Sequence, residues 1–275
     1  MDLSRVEDVR TAMKLAGIRP NKGLGQHFLV DRPSLQAIMD AAKVTSDDTV
    51  LEIGPGLGVM TRPLTRLAAR VVAVETDPVL AELLRRDAPD NLDVVEQDIL
   101  QYDLSQLPPG YKVIANIPYY LTSKIFRLLI ESPQPPSVMS MLIQKEVAER
   151  IVARPGQMSI LALSVQYYGR PEIICMVERH KFWPAPEVDS AVLRVTLSGP
   201  AFPADPDRLF RLIKAGFGEK RKQLKNSLSG GLNLESDYAM RVIKSAKLSP
   251  TARAQELDLK AWQRLYKVAA KQNLI

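Results

Sequence analysis

Short apolar runs alternate with segments of helical periodicity along the first three quarters of the chain. Thr49–Ile53, Val71–Glu75, Leu92–Glu96, Val113–Asn116 and Val138–Ile143 are short, rich in β-branched or apolar residues and bounded by Gly, Pro, Asn or Asp. That pattern predicts buried strands. Helix-like stretches such as Pro78–Arg86 and Ser123–Glu131 lie between them, so the alternation predicts βαβ units and a mostly parallel sheet covered on both faces. Glu172–Glu178 and Ser190–Leu197 follow closely and predict an antiparallel hairpin at one sheet edge. The pattern breaks at 198–207, where three prolines and a glycine fall together. Beyond it the strand signal stops, and Leu209, Phe210, Leu212, Ile213 and Phe217 recur at helical spacing, as do Leu257, Trp262, Leu265 and Val268. The expected organisation is an α/β domain over residues 1–200 and a small all-helical domain over 205–275.

Composition narrows the class. The 275 residues are 46% hydrophobic and 25% charged, enough for a substantial core, and no apolar run is long enough to span a bilayer. The N-terminal residues mix acids and bases with no apolar stretch behind them, unlike a secretory signal. One cysteine, Cys175, excludes an internal disulfide, and with two histidines (His27, His180) it argues against a zinc site. Cys175, Met139 and Met141 read as core packing, and His180 as a structural or phosphate-adjacent residue. The expectation is a reduced, cytoplasmic protein with no membrane partner and no metal; nothing signals an oligomer, so a monomer is expected. The net charge of +6 resides in the last quarter, where residues 205–275 carry 15 Lys and Arg against 7 Asp and Glu. Such asymmetry fits a polyanion-facing module or a solvated basic helical surface. Lys220, Arg221, Lys222 and Lys225 concentrate the charge and fit phosphate tracking, and the family resemblance given below makes them the candidate RNA-binding residues.

Candidate chemistry gathers at strand ends. Leu51–Gly58 reads LEIGPGLG, with Gly54, Gly56 and Gly58 able to turn sharply or to let a ligand lie against bare backbone. A dinucleotide fingerprint would need glycine at Val59, and Pro55 removes an amide donor, so a neutral ribose and amino-acid moiety fits better than a diphosphate. Glu75 ends the second strand and could accept from both ribose hydroxyls; Asp98, after the third, could take an adenine amino group. Either acid could instead be plain surface charge. Together they favour an adenosine-containing cofactor. The fourth strand ends in Asn116-Ile117-Pro118-Tyr119, either a simple turn or a clamp for an exocyclic amine. In the clamp, the Asn116 side chain and the Ile117 carbonyl each accept one N–H, Pro118 keeps Ile117 extended, and Tyr119 stacks the base.

Asn-Ile-Pro-Tyr with Glu-x-Gly-x-Gly-x-Gly resembles class I S-adenosylmethionine-dependent N6-adenine methyltransferases. The whole chain resembles the small-subunit ribosomal RNA adenine dimethyltransferase family (KsgA type), with NKGLGQHFL (Asn21–Leu29), FWPAPEVDSAV (Phe182–Val192) and FGEKRKQLKNSL (Phe217–Leu228) in family order. The resemblance implies a Rossmann-like class I methyltransferase fold and S-adenosyl-L-methionine as cofactor. It implies dimethylation of two adjacent adenosines near the 3′ end of 16S rRNA, free or in a 30S particle, and a role in ribosome biogenesis. It places His27, Leu29, Gly54, Gly56, Glu75, Asp98 and Asn116 at the cofactor. Asn116, Ile117, Pro118, Tyr119 and Phe182 fall at the reacting base, with Tyr119 and Phe182 sandwiching it. His27 stands where many family members have Asn. The rival readings are a large-subunit (23S) rRNA dimethylase, a non-catalytic assembly factor of the same fold, and a DNA adenine methyltransferase.

Overall fold

The computed structural model describes residues 1–21, 25–219 and 222–275. Among the described residues, nine strands run in chain order: β1 (Phe28–Leu29), β2 (Thr49–Ile53), β3 (Arg70–Glu75), β4 (Leu92–Glu96), β5 (Lys112–Asn116), β6 (Val138–Gln144), β7 (Gly169–Val177), β8 (Phe182–Trp183) and β9 (Ser190–Leu197). The helices are α1 (Val6–Leu15), α2 (Arg32–Ala42), α3 (Thr61–Leu67), α4 (Pro78–Arg86), α5 (Thr122–Ile130), α6 (Lys145–Ile151), α7 (Ile160–Tyr168), α8 (Pro206–Phe217), α9 (Leu224–Leu232), α10 (Ser236–Ser245) and α11 (Leu259–Lys271). Several helix starts follow directly from the sequence. Asp77-Pro78 and Asp205-Pro206 open α4 and α8, the aspartate accepting from Val79 N or Arg208 N and the proline sitting where no donor is needed.

Seven strands form one sheet in the order β4-β3-β2-β5-β6-β9-β7. β2, β3, β4, β5 and β6 are parallel neighbours, and β9 runs antiparallel to β6, with β7 on the edge beyond it. The chain moves outward from β2 to β4, then returns to the other side of β2 as β5. This reversal opens a crevice at the carboxyl ends of β2 and β5, the usual ligand position in such sheets. Register sets what lies there. Ile53 pairs with both Val74 and Ala115, so Gly54, Glu75 and Asn116 emerge side by side along one edge. The strands read as continuous apolar runs because both faces are covered; Val50, Leu51, Val113, Ile114, Met139 and Met141 have no exposed surface. A separate two-stranded piece pairs β1 antiparallel with β8, Phe28 opposite Trp183 and Leu29 opposite Phe182.

Two compact units make up the chain, and the division differs from the single cut expected near residue 200. The first unit comprises 1–148 and 171–197, the second 149–170 and 198–275. The segment 149–170 joins the later helices because its apolar face is buried with theirs. Ala153, Met158, Ala162, Leu163 and Tyr167 share one core with Leu212, Leu228, Ile243, Trp262 and Leu265. Gly156 N and Met158 N both donate to Gln255 O, at 2.8 and 3.1 Å. Short-range periodicity does not reveal a contact across about a hundred residues. Among the described residues, no helix is long and apolar enough to cross a membrane.

Adjacent glycines in α9 make a sharp test of this packing. A Cβ at Gly230 meets nothing within 4 Å, whereas one at Gly231 would lie 2.7 Å from both Cα and Cβ of Ala215 on α8. Gly230→Ala should therefore stabilise the fold by about 0.5–1 kcal/mol through helix propensity alone. Gly231→Ala should destabilise it by about 1–3 kcal/mol by forcing α8 and α9 apart. Urea denaturation of the two variants checks the opposite signs.

Candidate active site

The glycine loop begins where β2 ends. Gly54, Gly56 and Gly58 all have positive φ, at 68°, 60° and 81°. Gly58 has two reasons to lack a side chain, because a Cβ there would also lie 2.6 Å from Leu84 Cδ2 on α4. At Gly56 a Cβ would come within 3.3 Å of the Phe28 ring, so the loop lies close under the segment that carries β1.

Glu75 holds this loop. Its side chain is only 6% exposed. One carboxyl oxygen accepts from Gly56 N at 3.0 Å, and the other accepts from Thr76 N and Asp77 N at 2.9 and 3.0 Å. Burial raises its pKa, and the three backbone donors oppose that shift. A carboxylate offers about four acceptor sites, so the three amides leave capacity facing the cavity for a hydroxyl donor. Gln26 is tied to the same region, its Nε2 donating to Asp77 Oδ2 at 3.3 Å.

Asn116 closes the other side. Its Nδ2 donates to the backbone carbonyl of His27 at 3.1 Å, which orients the amide and leaves Oδ1 as its uncommitted end. Tyr119 begins a short 3₁₀ turn after Pro118, and its hydroxyl shares a 2.8 Å hydrogen bond with Ser190 Oγ. Burial raises the Tyr119 pKa, so the phenol stays neutral. The His27 ring lies nearly parallel to that of Tyr119, centroids 6.1 Å apart and planes 19° apart.

One cavity collects most of the expected residues. His27, Leu29, Gly54, Gly56, Glu75, Asn116, Ile117, Pro118 and Tyr119 all line it. Two expected residues are not among its lining. Asp98 spends Oδ1 on Leu100 N at 2.9 Å, capping a 3₁₀ turn beyond β4. Phe182 is 4% exposed and belongs to the apolar core with Leu29, Leu35, Val177 and Val192, because β8 pairs it with Leu29. On the basic motif, Lys220 and Arg221 lie outside the described residues, Lys222 pairs with Glu219 at 2.5 Å, and Lys225 is half-buried. His180 is exposed and pairs with Glu178 at 3.3 Å.

The cavity also contains residues that motif reading passed over. Leu3 and Val9, from the N-terminal segment and α1, contribute apolar wall, as do Leu57 and Leu80. Nothing in their local pattern tied them to this cavity. Glu52, which is not part of the lining, is the larger omission. It sits inside β2 with no exposed surface, and neither carboxyl oxygen has a hydrogen-bond partner. Burial pushes its pKa up to about 8, the Glu75 charge acts in the same direction, and the nearby Thr61 hydroxyl acts against both. A lone acid in an otherwise apolar strand was the available signal.

Bare glycine backbone, a buried carboxylate with acceptor capacity and apolar walls suit a nucleoside bearing an amino-acid tail. An amide clamp beside an aromatic ring suits a planar amine. Together with the sheet order they define an enzyme of the class I methyltransferase fold. The chain matches the ribosomal RNA adenine dimethylase family over residues 17–271. It is 40% identical over 256 residues to the ribosomal RNA small subunit methyltransferase A of Dehalococcoides mccartyi, covering 90% of this chain and 88% of that one. A crystal structure of a dimethyladenosine transferase from Plasmodium falciparum superposes with a TM-score of 0.80 at 26% identity, covering 88% and 97% of the two chains. That of the 23S rRNA methyltransferase ErmE gives 0.71 at 28%, covering 87% and 98%. The chain belongs to the ribosomal RNA adenine dimethylase family, and S-adenosylmethionine is its methyl donor.

The protonated state of Glu52 gives a pH signature. An ordinary glutamate in the unfolded chain ionises near 4.5, whereas this one holds its proton to about 8. Its contribution to stability is present below about 4.5 and is lost as pH rises through about 8. Glu52→Gln removes that loss. The stability of the variant relative to wild type should therefore climb between pH 5 and 8, by at most about 1.4 kcal/mol per unit. Urea denaturation at three pH values checks it; a flat difference would mean that Glu52 ionises normally in the fold.

Proposed function

We propose that this enzyme dimethylates N6 of two adjacent adenosines near the 3′ end of small-subunit (16S) rRNA and acts in the biogenesis of that subunit in the cytoplasm. The observation that carries the reading is the Asn116 amide, tied through Nδ2 to His27 O and exposing Oδ1 at the cavity beside Tyr119. The exocyclic amine of adenine is a poor nucleophile because its lone pair is delocalised into the ring. Asn116 Oδ1 and the Ile117 carbonyl each accept one N–H, which favours tetrahedral nitrogen and frees the lone pair. Pro118 restrains Ile117 to extended backbone, so the second acceptor is held in place. The Tyr119 ring offers a stacking face for an extruded base, a contact contributing about 1–3 kcal/mol in single-stranded complexes.

Glu75 would hold the ribose diol, and Gly54 and Gly56 would lie against the methionine portion. Asp98, once released from its capping role, would serve the cofactor adenine. Bound S-adenosylmethionine supplies an electrophilic methyl group. Neutral Glu52 avoids a second buried negative charge beside Glu75. Because the Phe182 ring is held in the core, His27 rather than Phe182 is the ring that faces Tyr119 in this conformation. The basic surplus of residues 205–275, with Lys220, Arg221, Lys222 and Lys225 at its centre, would track RNA phosphates. The small-subunit target rests on relatives at 37–40% identity bearing that name.

The test is incubation of the purified enzyme with labelled S-adenosylmethionine and small subunits lacking the modification, followed by nucleoside analysis. Dimethyladenosine in the 3′ region of 16S rRNA is the expected product. Label in 23S rRNA instead would support the large-subunit reading, and no label in either would overturn the proposal. Asn116→Ala should lose at least 10²-fold in kcat while binding S-adenosylmethionine within about threefold of wild type, because the lost acceptor matters as the nitrogen becomes tetrahedral. Calorimetry and single-turnover methylation separate the two effects.

A further inference from the structure

His27 joins the Asn116 amide to the Phe182–Pro184 segment. Its backbone carbonyl accepts from Asn116 Nδ2 at 3.1 Å, and its ring Nδ1 lies 2.8 Å from the carbonyl oxygen of Pro184. A carbonyl only accepts, so Nδ1 carries the proton and donates. In the neutral ring this leaves Nε2 as the unprotonated nitrogen. The same ring stands parallel to Tyr119. His27 also immediately precedes β1, whose two residues pair with β8. Val30 N donates to Lys181 O at 2.8 Å on one side of that ladder, and the His27–Pro184 bond closes it on the other. Without these flanking bonds, a two-residue ladder would hold the segments together weakly.

We propose that His27 is a positioning residue whose imidazole locks the Phe182–Pro184 segment to the peptide that orients Asn116, so that the β1–β8 ladder and the Asn116 amide are set as one unit. This rests on the methyltransferase reading above and extends it. It assigns the His27 side chain a role separate from walling the cofactor cavity. Loss of the Nδ1–H donor frees the Pro184 carbonyl and lets the residue-27 peptide shift, which moves the amide hydrogen-bonded to it. Displacements of about 1 Å at a reacting centre cost on the order of 10²-fold in rate.

Three substitutions distinguish the hydrogen bond from the ring. His27→Ala removes both, His27→Phe keeps a ring parallel to Tyr119 without a donor, and His27→Asn keeps a short N–H donor without the ring. Steady-state methylation of unmodified small subunits, S-adenosylmethionine calorimetry and thermal melting are read for each. We expect His27→Ala and His27→Phe to fall about 10- to 100-fold in kcat with cofactor affinity within about threefold of wild type. His27→Asn should recover to within about fivefold of wild-type kcat. Wild-type turnover in His27→Phe would overturn the proposal, as would failure of Asn to rescue, or a loss confined to cofactor affinity. If His27→Ala does not fold, the Phe and Asn pair decides alone. Wild-type enzyme inactive on every rRNA would instead refute the underlying function, which keeps the two failures distinct.

Discussion

The carboxylate of Glu75 is the interaction on which the site depends. Buried at the end of β3, it accepts three backbone N–H groups, one from the glycine loop after β2 and two from its own turn. Burying a charge is costly unless its lone pairs are satisfied, and here the backbone satisfies most of them. The result couples two strand ends into one rigid rim. Parallel register does the rest, since β2, β3 and β5 must release Gly54, Glu75 and Asn116 along one edge. The cavity rim and the Asn116 amide are therefore consequences of sheet order, with the loops supplying only local chemistry.

Glu52 shows the other solution to the same problem. Two carboxyl groups lie close together in a dry part of the sheet, and only Glu75 has donors. Glu52, with none, keeps its proton to about 8. Of these two buried groups, Glu75 alone then carries the charge.

Much of this was legible before any coordinates. β2, β3, β5, β6 and β9 match the expected strands to within a residue, because buried strands have a strong apolar signature. Glu75 and Asn116 were readable as polar residues ending such strands. Other features depend on contacts that a local pattern does not encode. β1 and β8 are two residues each, too short for any period, yet they join the first motif to the Phe182 segment. β7 begins at Gly169, three residues earlier than its apolar run suggested, and the helix before it packs with the C-terminal core. Asp98 fitted the strand-end pattern, but its carboxylate has a nearer backbone donor at Leu100. Phe182 was expected against the target base, but its pairing with Leu29 buries it in the core.

The central claim, that the Glu75 carboxylate organises and charges the cofactor pocket, is tested most directly by calorimetric titration of S-adenosylmethionine into Glu75→Gln. The amide matches the carboxylate in size but loses its charge and turns a donor toward either Gly56 N or the Thr76–Asp77 pair. With a charge-assisted acceptor contributing about 1.5–3 kcal/mol, affinity should fall roughly 10- to 150-fold while circular dichroism stays native. Wild-type affinity in a folded Glu75→Gln protein would contradict the account.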